Sequence, residues 1–259
     1  MKIIALVENT STDNNLSCEH GLSLYIETQN HKILFDMGQT DLFAQNAKKL
    51  DIDLSDVDIA VLSHGHYDHG GGLEKFLEIN KKAPVYMSKY TFKPYYNGTE
   101  KYIGLNKELE SNDRIIFTDD GVEIAEGLTL YSCNEKERYY DLGSFGLNKK
   151  VDDAFLPDDF LHEQYLCIEE NGKKVLISGC SHKGILNIVK WFEPDVLIGG
   201  FHFSKLPLDE TLMEYAKILD EFDTAYFTCH CTGVEQYQFM KNQMRKLSYL
   251  ATGDIICIE

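Results

Sequence analysis

Four short apolar runs in this chain each lead into a histidine: Ile59–Leu62 before His64, Val175–Ile177 before His182, Val196–Ile198 before His202, and Ala225–Phe227 before His230. Runs of this length, bounded by Gly and polar residues, predict buried strands. In layered α/β folds, ligands collect at the carboxyl ends of such strands. The pattern therefore predicts that His64, His66, His69, His182, His202 and His230 meet along one sheet edge, although they are far apart in the chain. Of the remaining histidines, His31 falls in a predicted hairpin turn, and His162 follows an acidic loop as either a surface or a site residue.

The same reading places the other elements. Ile3–Glu8 predicts a first strand, and Leu22–Thr28 with Lys32–Asp36 predicts a hairpin turning at 29–31. Asp41–Leu50 carries Leu42, Phe43, Ala47 and Leu50 as a helical stripe. A helix is predicted over Leu73–Lys81, with Gly70, Gly71 and Gly72 letting the backbone turn tightly ahead of it. Val85–Ser88, Arg114–Thr118, Val122–Ile124 and Leu128–Ser132 predict further strands, and Gln164–Glu169 with Lys174–Ser178 a second hairpin. Helices follow over Gly184–Phe192, Leu208–Phe222 and Val234–Leu247, the second with Pro207 at its start, and Ile255–Ile258 predicts a last strand. Two halves, each with a hairpin and strand–helix units, predict two sheets packed face to face with helices outside. Two segments break the rhythm. Residues 89–112 are tyrosine-rich, as either a substrate wall or an insertion against its own domain. Residues 133–163 are charged and turn-rich, and a loop this long suits a lid.

Length and charge narrow the possibilities. With 259 residues the chain can bury a full core as one domain, 1–259, with an insertion or lid in 89–163. The formal net charge of −17 argues against nucleic-acid binding and anionic membrane surfaces. No apolar run approaches the roughly 20 residues of a membrane span, and the N-terminal run is too short for a secretory signal. Seven cysteines, an odd number without paired spacings, suggest reduced thiols and a cytoplasmic setting.

The densest chemistry is His64-Gly65-His66-Tyr67-Asp68-His69. In extended backbone, His64 and His66 point the same way and can grip one cation. Asp68 and His69, past the bend, can serve a second. Two close metals can share one hydroxide and drive metal-assisted hydrolysis. Asp36, at a strand end, suits a carboxylate that fixes a histidine tautomer, or one that caps the next helix.

With Phe35-Asp36-Met37-Gly38 upstream and His230 late in the chain, this motif resembles the metallo-β-lactamase superfamily. Glu19-His20-Gly21-Leu22-Ser23, Ser178–Gly184, Gly199-Gly200-Phe201-His202 and His230-Cys231-Thr232-Gly233 are similar to its dihydropterin-synthase-like branch. The resemblance implies an α/β fold, a four-layer αβ/βα sandwich of two packed mixed sheets with outer helices. It also implies two divalent metal ions, zinc first, with manganese or iron as alternatives. Many hydrolases of the superfamily carry a Gly-His-Thr turn and a bridging Gly-Asp aspartate. Here the turn is missing between Gly70 and Gly179, and Cys180 replaces the aspartate. The implied ligands are His64, His66, Asp68, His69 and His230, with His182 replacing the missing histidine and Cys180 either bridging or simply packing.

Function follows as an expectation: a hydrolase or transferase acting on a phosphorylated or diphosphorylated small molecule, through a metal-bound hydroxide or metal-assisted displacement. Asp68 and His202 are the catalytic candidates, His202 as general acid. His20, Tyr67, Lys183, Thr232 and Gly233 are the substrate-binding candidates, the last three because they lead into helix starts that attract phosphate. The alternatives are a lactone or thioester hydrolase, and a redox or ligand-binding module using the metal pair.

Overall fold

Alternate residues of the apolar runs serve different cores. Ile3, Ala5, Ile33, Phe35, Ile59 and Val61 enter one buried cluster together with Leu166, Ile168, Val175, Ile177 and Ile198. Their neighbours Ile4, Leu6, Leu34, Ala60 and Leu62 enter a second cluster. This period of two is what a sheet buried on both faces requires. The computed structural model describes residues 1–259.

The chain runs β1 (Lys2–Val7), β2 (Ser23–Glu27), β3 (Lys32–Phe35), α1 (Leu42–Lys49), β4 (Ile59–Val61), α2 (Tyr67–Gly70), α3 (Leu73–Ile79) and β5 (Val85–Ser88). It continues through β6 (Tyr95–Asn97), β7 (Lys101–Tyr102), β8 (Ile115–Thr118), β9 (Val122–Ala125), β10 (Leu128–Tyr131), β11 (Leu147–Val151) and β12 (Ala154–Pro157). The last part adds β13 (Tyr165–Glu170), β14 (Lys173–Ile177), α4 (Ile185–Phe192), β15 (Val196–Gly199), α5 (Glu210–Asp220), β16 (Ala225–Thr228), α6 (Val234–Lys241), β17 (Leu247–Tyr249) and β18 (Ile255–Cys257).

Two seven-stranded mixed sheets result, ordered β18-β1-β2-β3-β4-β5-β8 and β17-β16-β15-β14-β13-β10-β9. Each contains an antiparallel hairpin, β2–β3 or β13–β14, whose second strand continues into parallel neighbours. The sheets face each other across the first cluster. Phe43, Ala47, Leu73 and Phe76, from α1 and α3, cover the outside of the first sheet. Ile185, Leu212, Ala216 and Met240, from α4, α5 and α6, cover the second. Four layers therefore stand in the order helix, sheet, sheet, helix, as expected. No helix is long and apolar enough to cross a membrane.

Three expectations are corrected. The helix expected over Val234–Leu247 stops at Lys241, and Leu247 opens β17, which pairs in parallel with β16. Sheet pairing overrides the helical spacing of Met240, Met244 and Leu247. Residues 89–163 are not one insertion. β6, β7, β11 and β12 form a separate four-stranded sheet, while β8, β9 and β10 between them belong to the two large sheets. Gly71 and Gly72 are needed for close approach rather than for an unusual turn. Their φ angles are −62° and −79°, whereas a Cβ would lie 2.2 Å from the Gln39 carbonyl oxygen at Gly71 and 2.3 Å from that of Met37 at Gly72.

Ile168, on β13, is buried between the two sheets. Ile168→Ala is expected to destabilise the fold by ~2–5 kcal/mol, the range for truncating a buried isoleucine. Chemical denaturation would measure this, and the folded fraction should keep its metal content.

Candidate metal centre

The carboxyl ends of β4, β14, β15 and β16 deliver His64, His182, His202 and His230 to one edge of the sandwich. Residues there adopt left-handed backbone rarely used by side-chain-bearing residues: Asp36 (φ 58°), Ser181 (59°), His202 (57°) and His230 (48°). Such conformations cluster at functional sites because the surroundings hold them there. The β3 and β4 ends are stitched to the histidine turn: Asp36 N–H donates to the Val61 carbonyl at 2.9 Å, and Met37 N–H to that of His69 at 2.7 Å.

Asp36 is fully buried and organises two imidazoles. Its Oδ2 accepts from His69 Nδ1 at 2.6 Å and from Ser63 Oγ at 2.7 Å, and its Oδ1 from Ser63 N–H at 2.7 Å. With its proton given to Asp36, Ser63 Oγ accepts from His64 Nδ1 at 2.8 Å. Both rings are thereby fixed with the Nε2 lone pair turned inward. Asn9 does the same for His230, its Oδ1 accepting from Nδ1 at 2.8 Å. The amide orientation of Asn9 is set because Oδ1 also accepts from Gly21 N–H at 3.2 Å, while Nδ2 donates to the His230 carbonyl at 3.3 Å.

Two groups of donor atoms converge. His64, His66 and His182 place nitrogens within 4.8 Å of one another. His64 Nε2 and His66 Nε2 are buried with no hydrogen-bond partner. In the second group, His69 Nε2 lies 3.2 Å from His230 Nε2 and 3.2 Å from Cys180 Sγ. Asp68 Oδ2 lies 3.3 Å from His230 Nε2 and 3.3 Å from His20 Nε2. Lone pairs facing each other this closely need a cation or proton between them. Burial, and then neighbouring imidazoles, push His64 and His66 well below the usual histidine range, which keeps both neutral and able to ligate. His69 behaves oppositely. Burial opposes its charge, but the Asp36 carboxylate wins and lifts it to about 9. A proton or a cation at this position meets the same carboxylate field. These donors fit metal binding, with Cys180 joining the two groups through His64 and His69.

Other buried groups set the frame. Glu163 Oε1 accepts from His182 N–H at 2.6 Å and lies 3.3 Å from His182 Nδ1, while Oε2 accepts from Lys183 N–H and Tyr165 Oη. Glu8 Oε1 likewise accepts from His230 N–H at 2.6 Å. His162 is buried beneath the motif with both nitrogens engaged: Nδ1 accepts from Gly65 N–H at 2.9 Å, and Nε2 donates to Asp158 at 3.1 Å. It clamps the backbone rather than offering a lone pair. Glu8, Asn9, Glu163 and Cys231 were not singled out from the sequence. The Glu8-Asn9 step after a strand carries no local signal, whereas Cys231 stands directly beside His230.

A cleft of about 150 Å³ opens over these donors. His20, His66, Tyr67, Asp68, Cys180, His182, His202, His230 and Cys231 line it, with Lys101 and Lys205 among the other lining residues. Asn97, Ile103 and Leu147 contribute from the small sheet and its flanks, so the tyrosine-rich and charged segments form one wall. A larger depression of about 620 Å³ lies at the opposite strand ends, near Lys173, Asp195 and Thr224. It gathers no histidine or cysteine.

Three expected substrate contacts lie elsewhere. Lys183 is buried, donating Nζ to the carbonyls of Ser132 at 2.6 Å and Glu163 at 2.8 Å. Burial lowers it to about 8 against the opposing pull of Glu163. Thr232 is fully buried; its Oγ1 accepts from Phe201 N–H at 2.8 Å and bonds Thr228 Oγ1. Gly233 lies against Gln236 and Ser204, outside the cleft lining. The Lys183 and Thr232 side chains are spent on buried hydrogen bonds and Gly233 falls outside the lining, so none of the three faces a guest in the cleft. His202 lines the cleft, where burial, and then the nearby His182, lower its basicity. His31 stays in its hairpin turn, hydrogen-bonded to Thr28.

Two outcomes follow. Asp36→Asn, which removes the charge holding His69 and the Ser63–His64 pair, is expected to weaken metal affinity roughly 10–100-fold; competition with a chelator of known strength would measure it. For Glu163, burial alone would raise the carboxyl, but His182, Lys183 and Tyr165 hold it well below the usual carboxylate range. Its stabilisation is complete above the ordinary value of 4.5 and is lost as pH falls toward the depressed folded value. Glu163→Gln is expected to flatten the loss of stability below that pH, read from denaturation midpoints across an acidic series.

Comparison with known proteins agrees with this geometry. A family profile described as the metallo-beta-lactamase superfamily matches residues 16–221. The chain is 30% identical to an uncharacterized protein of Methanocaldococcus jannaschii over 98% of each chain. It is 29% identical, over 99% of its length and 96% of the other, to that organism's 7,8-dihydropterin-6-methyl-4-(beta-D-ribofuranosyl)-aminobenzene-5'-phosphate synthase. The solved structure of Tm1679, a metal-dependent hydrolase of the beta-lactamase superfamily, superposes with a TM-score of 0.85 at 29% identity, covering 100% of this chain and 99% of that one.

Proposed function

The chain belongs to the metallo-beta-lactamase superfamily, and from that membership we propose a dinuclear metal-dependent enzyme acting on a phosphorylated or diphosphorylated small molecule. The observation that carries the reading is the convergence of tautomer-fixed imidazole nitrogens and Asp68 on one cleft. His64, His66 and His182 would hold one cation. Asp68, His69 and His230 would hold the other, with Cys180 between. Zinc suits a set of nitrogen, sulfur and one carboxylate, with manganese or iron as alternatives. Bound there, the ions would supply Lewis-acid charge and activate water for attack.

The residues of the chain divide the remaining work. Lys101 and Lys205 offer positive charge at the cleft, where an anionic substrate would enter against the overall negative charge. Lys101 Nζ donates to Tyr67 Oη at 3.0 Å, which steadies both side chains in the wall. His20 Nε2 stands 3.3 Å from Asp68 Oδ2, and His20 with His230 holds that carboxyl below its ordinary range against burial. The phosphate preference draws support from the full-length similarity to a synthase whose name specifies a 5'-phosphate.

Protein purified without chelator is expected to carry about two metals per chain in the histidine–carboxylate centre. Asp68→Ala should remain folded and lose turnover by roughly 100-fold or more. A panel of phosphoesters, diphosphates, lactones and thioesters tests the substrate class. Turnover confined to lactones or thioesters would make the protein an acyl-group hydrolase and overturn the phosphate reading.

A further inference from the structure

Cys231 belongs to neither donor group of the proposed centre, yet it lines the same cleft. Its sulfur, the sulfur of Cys180 and a ring nitrogen of His202 all lie within 4.8 Å of one another. Bonds of roughly 2.3 Å to sulfur and 2.0–2.1 Å to nitrogen hold tetrahedral ligand atoms about 3.5–3.8 Å apart. A small inward movement therefore closes this set around one cation.

The arrangement is held in place from several sides. A Cβ on Gly200 would lie 2.3 Å from Cys231 Sγ, so the sulfur rests against bare backbone. The same sulfur reaches the Cys180 carbonyl at 3.5 Å. The Phe201 N–H bond to Thr232 Oγ1 ties the turn carrying His202 to the turn carrying Cys231. His202 keeps a left-handed backbone, and its Nδ1 is buried with no hydrogen-bond partner. Both cysteines are buried and free.

We propose that Cys180, His202 and Cys231 form a sulfur-rich metal site beside the histidine–carboxylate centre, taking a thiophilic cation such as zinc or cadmium. Two sulfurs and one imidazole, with a fourth position open to the cleft, match a zinc environment able to take water or substrate. Cation binding releases to solvent whatever proton the Cys180–Cys231 pair holds and involves no change of oxidation state. The proposal rests on the dinuclear reading only where Cys180 is shared.

Cadmium is the probe, because its thiolate complexes absorb in the ultraviolet. Reduced wild-type, Cys231→Ser and His66→Asn proteins are equilibrated at one buffered cadmium concentration. Bound metal and thiolate–cadmium absorption are then measured. Cys231→Ser is expected to hold about one cadmium fewer per chain and to lose at least about half of the absorption. His66→Asn perturbs the histidine group and should retain that absorption, so failure of the dinuclear reading is told apart from failure of this one. Equal metal and equal absorption in wild type and Cys231→Ser overturn the proposal, as does loss of the absorption in His66→Asn. Should Cys231→Ser not fold, His202→Asn carries the same test and should lose the same cadmium.

Discussion

The Asp36 carboxylate is the contact on which the site depends. A buried carboxylate is costly unless fully hydrogen-bonded. Asp36 meets that demand with three donors: Ser63 N–H, Ser63 Oγ and His69 Nδ1. In doing so it joins the ends of β3 and β4 and fixes the tautomers of His69 directly and His64 through Ser63. Neither ring could present Nε2 inward if its other nitrogen were free to take either role. The left-handed backbone of Asp36 is the strained geometry this arrangement requires.

Glu8 and Glu163 repeat the device on the backbone. Each accepts at 2.6 Å from the N–H of a metal-donor histidine, His230 and His182 respectively. With Asp36, Asp68 and Asp158, five buried carboxylates surround the donors, and Lys183 is the buried lysine among them. Such an excess of negative charge favours cations strongly, and the raised basicity of His69 is its mark in the metal-free chain. The local field thus suits a cation, and Lys101 and Lys205 stand at the cleft as the positive side chains of its lining.

The small four-stranded sheet gives the site its wall. Tyr95 lies over His162 with ring centroids 4.0 Å apart, and Phe160 stacks on His182 at 4.6 Å. The tyrosine-rich and charged segments are therefore one structure, bracing the histidines from behind while bordering the cleft in front. Their chemistry reads as loop in the chain because the pairing that makes them strands, β6 with β11, joins residues some fifty positions apart.

Local pattern determined much by itself. The short continuous apolar runs predicted buried strands, because a strand buried on both sides must be apolar throughout, and the two halves, each with a hairpin and strand–helix units, predicted the face-to-face sheets. The His64–His69 cluster announced metal chemistry, because six consecutive residues can converge without help from the rest of the fold. Strand-end position likewise foretold the convergence of His182, His202 and His230. Tertiary structure alone decided which lone pairs face inward, since Asn9 and Glu8 meet His230 across more than two hundred residues and Glu163 meets His182 from the turn ahead of β13. It also decided that Lys183 and Thr232 are buried supports, that Leu247 is a strand residue, and that Gly71 and Gly72 make room for neighbouring carbonyls. These outcomes depend on contacts between distant segments, and hydrogen-bond direction and steric clearance at such contacts have no period or spacing that a single chain can display.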